Sequence, residues 1–161
     1  MEEVIKVGIA DWKLCKIPNK ITTVGLGSCI GIVLYSKTSD CCGLLHIMLP
    51  SSKEIRKNTN RAKFADTGIA DLIDALEKQG IQRSGLSAKI AGGANMFQFA
   101  AKAEVGGVGE RNIQAVKETL AFYKIPIVAA DIGEDYGRTI LFDPASKNLT
   151  IHVAGRADKI I

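Results

Sequence analysis

The densest chemical signal in the chain is Thr22-Thr23-Val24-Gly25-Leu26-Gly27-Ser28-Cys29. Gly25 and Gly27 let the backbone reach positive φ and approach a ligand closely. A loop of that kind can turn successive N–H groups toward one point. Cys29 follows at the mouth of Ile30-Gly31-Ile32-Val33-Leu34-Tyr35, an apolar, β-branched run that reads as a buried strand. A thiol at a loop-to-strand junction, behind glycines, is where a nucleophile with an oxyanion hole can sit.

A thiol nucleophile needs a base, and the chain has only two histidines. The polar cluster Ser36-Lys37-Thr38-Ser39 suits a four-residue turn. Beyond it, the segment from Asp40 to Leu49 reads as a second strand, stopped by Pro50. If Tyr35 and Asp40 close this hairpin, Cys29 lies directly opposite His46. Directly paired side chains have Cβ atoms about 4.5–5.5 Å apart, close enough for sulfur and imidazole to meet. His46 would then lower the thiol pKa and later protonate a leaving group. His152 sits among strand residues near the C-terminus, with no such partner.

A Cys–His pair also needs a third group to hold the imidazole. No carboxylate lies in the loop or the hairpin core, so a hydroxyl must serve, and Thr22, Thr23 and Ser28 are available. Cys15, Cys41 and Cys42 read as small buried hydrophobes. Cys41 and Cys42 point to opposite faces of a strand, so they do not jointly hold a metal. The spacings match no zinc pattern. Gly92-Gly93 lacks the Gly-Lys-Ser/Thr ending of a phosphate loop and reads as a site of close backbone packing, against the hairpin.

These residues require a folded scaffold, and the composition supplies one. The chain has 161 residues, 47% of them apolar, enough for a single domain over residues 1–161 with a real core. A net charge of +4, with few aromatic residues, is far from a nucleic-acid signature. Met1-Glu2-Glu3 is acidic where a secretory leader is basic, and no apolar run approaches the roughly 18 residues of a membrane span. The expectation is a cytoplasmic protein with reduced cysteines and no direct membrane insertion.

Short strands are expected over residues 3–10, 12–15 and 21–24, then the hairpin. Residues 51–62 form a polar, basic loop. Phe64, Ile69, Leu72, Ile73 and Leu76 keep helical period, and Gly80 ends that helix. A strand over 86–90 follows, then an irregular stretch over 96–108. A second helix runs from about Glu110 to Tyr123, with Ile113, Val116, Leu120 and Tyr123 as its buried stripe. A strand over 127–130, a loop over 131–137, and a hairpin of 138–142 with 149–153 complete the chain. Eight or nine strands with two helices argue an α+β fold, mostly antiparallel, in three layers α/β/β.

Thr23-x-Gly25-Leu26-Gly27-Ser28-Cys29 resembles the signature of the CheD family of chemoreceptor glutamine deamidases. The likeness continues through His46-Ile47-Met48-Leu49-Pro50, Lys63-Phe64-Ala65-Asp66-Thr67 and the segment from Lys89 to Phe97. It extends to Gly109-Glu110-Arg111-Asn112, Asp131-x-Gly133 and Gly137-Arg138-Thr139. The resemblance implies a Cys29–His46–Thr23 triad and a sandwich similar to the catalytic domain of cytotoxic necrotizing factor. It implies a thioester route from receptor glutamine to glutamate, with N–H groups of the Gly27-Ser28-Cys29 stretch holding the oxyanion. It also implies hydrolysis of glutamate methyl esters in some members. The implied partners are the receptor's cytoplasmic helical bundle and the CheC phosphatase, with Phe97 and Phe99 as candidates for the CheC surface. No cofactor or metal is called for. One departure is visible: the family pattern has a second glycine where this chain carries Glu134.

Two other classes compete. A non-catalytic chemotaxis adaptor would act mainly by stimulating the CheC phosphatase. A metal or redox site would use Cys29, Cys42 and His46, although their spacing fits no known pattern.

Overall fold

The apolar run after Cys29 and the run after Asp40 do pair. β4 (Ile30–Ser36) and β5 (Cys41–Ile47) form an antiparallel hairpin, buried at every position. In the computed structural model, which describes residues 2–54, 60–96 and 107–161, this hairpin lies at the centre of the molecule. Continuous hydrophobic runs are what strands covered on both faces require.

β4 and β5 belong to a five-stranded sheet with β2 (Asp11–Lys16), β6 (Leu86–Gly92) and β7 (Ile127–Ile132), in the order β2-β5-β4-β6-β7. One face of this sheet carries α1 (Ala65–Lys78) and α2 (Val108–Phe122). The other face packs on a second five-stranded sheet. That sheet contains β1 (Val4–Lys6), β3 (Lys20–Leu26), β8 (Arg138–Asp143), β9 (Asn148–His152) and β10 (Lys159–Ile160), in the order β1-β3-β8-β9-β10. The layers are therefore α/β/β, as element order suggested. β1 with β3 and β6 with β7 pair in parallel, and the other pairs are antiparallel.

The α1 stripe is as expected: Phe64, Ile69, Leu72, Ile73 and Leu76 are buried. The α2 stripe runs through Gly109, Asn112, Val116 and Leu120, with Ile113 only partly buried. Cys41 faces the helices and Cys42 faces the second sheet, as strand alternation requires.

The hairpin register corrects the sequence reading. Ser36 extends β4, and the turn is Lys37–Asp40 rather than Ser36–Ser39. His46 is therefore opposite Gly31, not Cys29. Moving the turn by one residue shifts the pairing by two, and a shift of two keeps every side chain on its face. Cys29 thus stays on the His46 side and packs against the inter-sheet core.

Candidate active site

His46 is fully buried in β5, on the face turned to the second sheet. The face has room for an imidazole because its neighbour in β4 is Gly31. A Cβ there would sit 2.7 Å from Ile140 Cδ1 and 3.2 Å from Leu26 Cδ1. Thr23, buried in β3, brings its hydroxyl to 2.7 Å from His46 Nδ1. The same hydroxyl donates its one proton to the Val7 carbonyl at 2.8 Å. With its proton spent, Thr23 can only accept from the ring, so Nδ1 carries the imidazole hydrogen. Nε2 is left as a bare lone pair, buried and without a hydrogen-bond partner among the described residues. Burial pulls the His46 pKa down to about 4, so the ring is neutral at pH 7.

Of the three hydroxyls open to choice in the sequence, only Thr23 meets the ring. Thr22 lies on the opposite face of β3 and donates to the Ile140 carbonyl at 2.6 Å. Thr23 and His46 are thus brought together. Cys29 is placed on the same face, half-buried, at the open end of β4. Its thiol is not hydrogen-bonded to Nε2. Burial raises the thiol pKa, and its own backbone N–H opposes that rise. At rest the face therefore holds a neutral thiol and a neutral base.

The loop that carries Cys29 is anchored through its carbonyls. Gly27 O accepts from Ala94 N at 2.8 Å, Ser28 O from Asn112 Nδ2 at 2.9 Å, and Cys29 O from Gly93 N at 2.8 Å. Gly92 is required here: it has φ of +116°, and a Cβ would run into the Cys29 carbonyl. This is the close packing against the hairpin that the sequence suggested for Gly92-Gly93. Gly25 takes the expected positive φ of +72°, whereas Gly27 does not. The Gly27 N–H donates to Gly25 O at 3.1 Å. The Ser28 N–H donates to no described residue and the Cys29 N–H only toward its own sulfur, so both can turn to an oxyanion.

A buried ion pair supports this floor. Arg138 Nε donates to Asp131 Oδ1 at 2.8 Å, and Arg138 Nη1 donates to the Gly133 carbonyl at 3.0 Å and the Gly92 carbonyl at 3.4 Å. Glu134, at the departure from the family pattern, has φ of +62° and accepts from Asn95 N at 2.8 Å. The backbone keeps the left-handed shape a glycine would favour, at a cost of about 1–2 kcal/mol to a side-chain-bearing residue.

Asn112 is the residue the sequence reading missed. It appeared only inside a motif, yet its place in the buried stripe of α2 marked it as a polar group needing partners. Phe97 and Phe99 lie outside the described residues. Among the described residues, no group of three or more His, Cys, Asp or Glu side chains gathers as metal ligands. No helix among them is long and apolar enough to cross a membrane.

Comparison with known proteins follows the same lines. Residues 48–153 match the family model described as CheD, chemotactic sensory transduction. A protein of Lachnoclostridium phytofermentans, named probable chemoreceptor glutamine deamidase CheD, is 53% identical over 161 residues, covering 100% of both chains. A Syntrophomonas wolfei protein of the same name is 48% identical, again over 100% of both. Among solved structures, the Bacillus licheniformis hypothetical protein YfiH superposes with a TM-score of 0.48 and 14% identity, over 78% of this chain and 50% of that one.

Proposed function

Because the chain belongs to the CheD chemotactic sensory transduction family, we propose that it is a cytoplasmic cysteine hydrolase that converts chemoreceptor glutamine side chains to glutamate. One observation carries the reading: a buried histidine has Nδ1 tied to a hydroxyl and Nε2 left bare, on the face that holds Cys29.

The chemistry follows from that arrangement. His46 Nε2 takes the Cys29 proton as sulfur attacks the carboxamide carbon. The carbonyl oxygen becomes an oxyanion and accepts from the Ser28 and Cys29 N–H groups. His46 passes its proton to the nitrogen, the C–N bond breaks, and ammonia leaves a thioester on Cys29. His46 then takes a proton from water, and hydroxide adds to the thioester carbon. The C–S bond breaks, glutamate departs, and the proton returns to sulfur. Thr23 holds the ring in the tautomer that both steps use. A glutamate methyl ester would enter the same route, with methanol leaving in place of ammonia.

The resting site needs no preformed ion pair. A neutral thiol beside a neutral imidazole is suited to a concerted transfer as substrate arrives, which also protects the thiol from stray electrophiles. Met96 packs against Gly27, and Val24, three residues before that glycine, is exposed, so apolar side chains flank the loop. A glutamine side chain from a helix surface could reach Cys29 across such a border without a deep pocket. The mildly basic protein suits an acidic receptor face.

Mass spectrometry of a receptor cytoplasmic fragment tests the reading. Incubation with the wild-type protein should add about one mass unit per modified glutamine, as amide-to-acid conversion requires. Cys29→Ala should lose at least about 10³-fold in rate and keep its melting temperature, because the thiol lies at the loop mouth. An unchanged receptor mass with a folded, alkylatable wild-type protein would overturn the enzyme reading. Chemotactic signalling that survives Cys29→Ala intact would point instead to the adaptor role beside a CheC-type phosphatase.

A further inference from the structure

We propose that Asn112 is the positioning residue that aims the oxyanion-binding peptide of the Cys29 loop. The inference rests on the deamidase reading above and adds to it a residue that touches neither substrate nor thiol.

Asn112 is fully buried in the second turn of α2. Its single amide nitrogen donates to two carbonyls, Ser28 O and Met48 O, each at 2.9 Å. One of these belongs to the residue before Cys29. The other lies two residues after His46. The β4–β5 ladder stops at Ile30 with Ile47, just short of both. Asn112 therefore supplies, from the helix layer, a tie that the sheet no longer provides between the thiol segment and the histidine segment.

The tie has a direction. In a trans peptide the C=O and the following N–H point opposite ways. Drawing the Ser28 carbonyl inward to Asn112 turns the Cys29 N–H away from the helix. The neighbouring carbonyls of Gly27 and Cys29 are likewise held inward, by Ala94 N and Gly93 N. Those two anchors come from backbone and survive any side-chain change. Only the central peptide, the one whose N–H belongs to Cys29, depends on a side chain.

Filling the helix–sheet interface would not by itself choose this residue. The amide oxygen of Asn112 is buried and has no hydrogen-bond partner among the described residues. Its stripe neighbours are Gly109, Val116 and Leu120. A leucine there would fill a similar volume without an orphaned amide oxygen, but would take the donor from the Ser28 and Met48 carbonyls. The amide is explained by the two carbonyls it orients.

The test separates aiming from folding. Asn112→Leu and Asn112→Ser are assayed for ammonia release from a receptor cytoplasmic fragment, with kcat and KM resolved. Cys29 alkylation by iodoacetamide and thermal melting are read alongside. Alkylation displaces iodide at carbon and forms no oxyanion, so it reports the thiol alone. The proposal expects kcat to fall about 10²–10³-fold, as loss of an oxyanion donor does. KM and the alkylation rate should stay close to wild type. Unchanged kcat in either folded variant overturns it, as does alkylation that falls in step with kcat. If neither variant folds, Asn112 is structural and the proposal fails. A wild-type protein without turnover would instead sink the deamidase reading and this inference with it.

Discussion

The two faces of the middle sheet are equally buried but differently made. Toward the helices, Ile30, Ile32, Leu34, Leu45 and Ile47 meet Ile69, Leu72, Leu76, Val116 and Leu120. Toward the second sheet, Val33, Tyr35, Cys42 and Leu44 meet Ile21, Leu26, Ile140 and Phe142, but His46 and Thr23 are set among them. On the helix side the buried Asn112 sits at the same end of the hairpin as His46. Buried polar side chains meet from both sides where the β4–β5 ladder runs out, whereas Ser36, Ser87 and Lys89 are buried farther along the sheet. The largely apolar remainder of each face can secure the fold while that end is spent on geometry that packing alone would not favour.

The largest effect should come from removing the polar member of the inter-sheet face. His46→Leu should lower turnover by about 10²–10⁴-fold, the usual range for a lost general base. The same residue fixes a sign for acid stability. Its pKa falls from 6.5 in the unfolded chain to about 4 in the folded one. Between those values the unfolded state binds the extra proton, so stability is full above about pH 6.5 and drops as pH falls toward 4. The loss amounts to about 3 kcal/mol, at 1.36 kcal/mol per pKa unit. Denaturant unfolding from pH 7.5 to 4 should show that slope in the wild type and a shallower one in His46→Leu. Parallel slopes would mean that the buried neutral imidazole is not what the fold protects.

A smaller effect compares the faces directly. Gly43 and Gly31 are both in the hairpin and both press on side chains. A Cβ at Gly43 would sit 2.5 Å from Leu72 Cδ1 on the helix side, and one at Gly31 would sit 2.7 Å from Ile140 Cδ1 on the sheet side. Either alanine should cost about 1–3 kcal/mol of stability through overpacking. They should differ in activity. Gly31 is opposite His46, and its added methyl would displace Ile140 Cδ1 and Leu26 Cδ1, at 2.7 and 3.2 Å, beside the Thr23 methyl that it touches at 3.6 Å. Gly31→Ala should therefore slow turnover at temperatures where it is folded, while Gly43→Ala should not. Equal turnover in the two folded variants would erase the functional contrast between the faces.

The sequence made the hairpin, both helices and the placement of Cys29 and His46 on one face legible, because those features rest on periods of 2 and 3.6 that local residues set. The register was read two residues off. The error did no harm to the site, since an even shift preserves faces. What the sequence did not hold was the pairing of distant strands. β3 finds β8 more than a hundred residues later, and that contact decides which of Thr22 and Thr23 turns inward. β10 was not foreseen either, being a two-residue strand held by β9. Asn112 was hidden for a related reason. Its two carbonyl partners lie 64 and 84 residues away. Only its polarity within a buried stripe hinted that partners existed. Glu134 shows the opposite case: a motif departure flagged the position, and the backbone there holds the left-handed turn regardless.

The smallest effect tests the hydroxyl itself. Thr23→Val keeps the shape of the side chain and removes the oxygen. Two groups then lose a partner: the Val7 carbonyl and the Nδ1 hydrogen of His46. An unsatisfied buried donor costs about 1–3 kcal/mol, which should appear as a lower melting temperature. For turnover the cost is subtler. With no acceptor at Nδ1, nothing holds the hydrogen there, and the ring can carry it on Nε2 instead. In that tautomer Nε2 cannot accept a proton. Turnover should fall by about tenfold, far less than in His46→Leu, because the competent tautomer is still populated. Thr23→Ser restores an oxygen that can donate and accept, and should recover most of the rate. If valine and serine at this position are equally slow, the methyl contact to the inter-sheet core is what matters, and His46 is oriented by packing rather than by the hydroxyl.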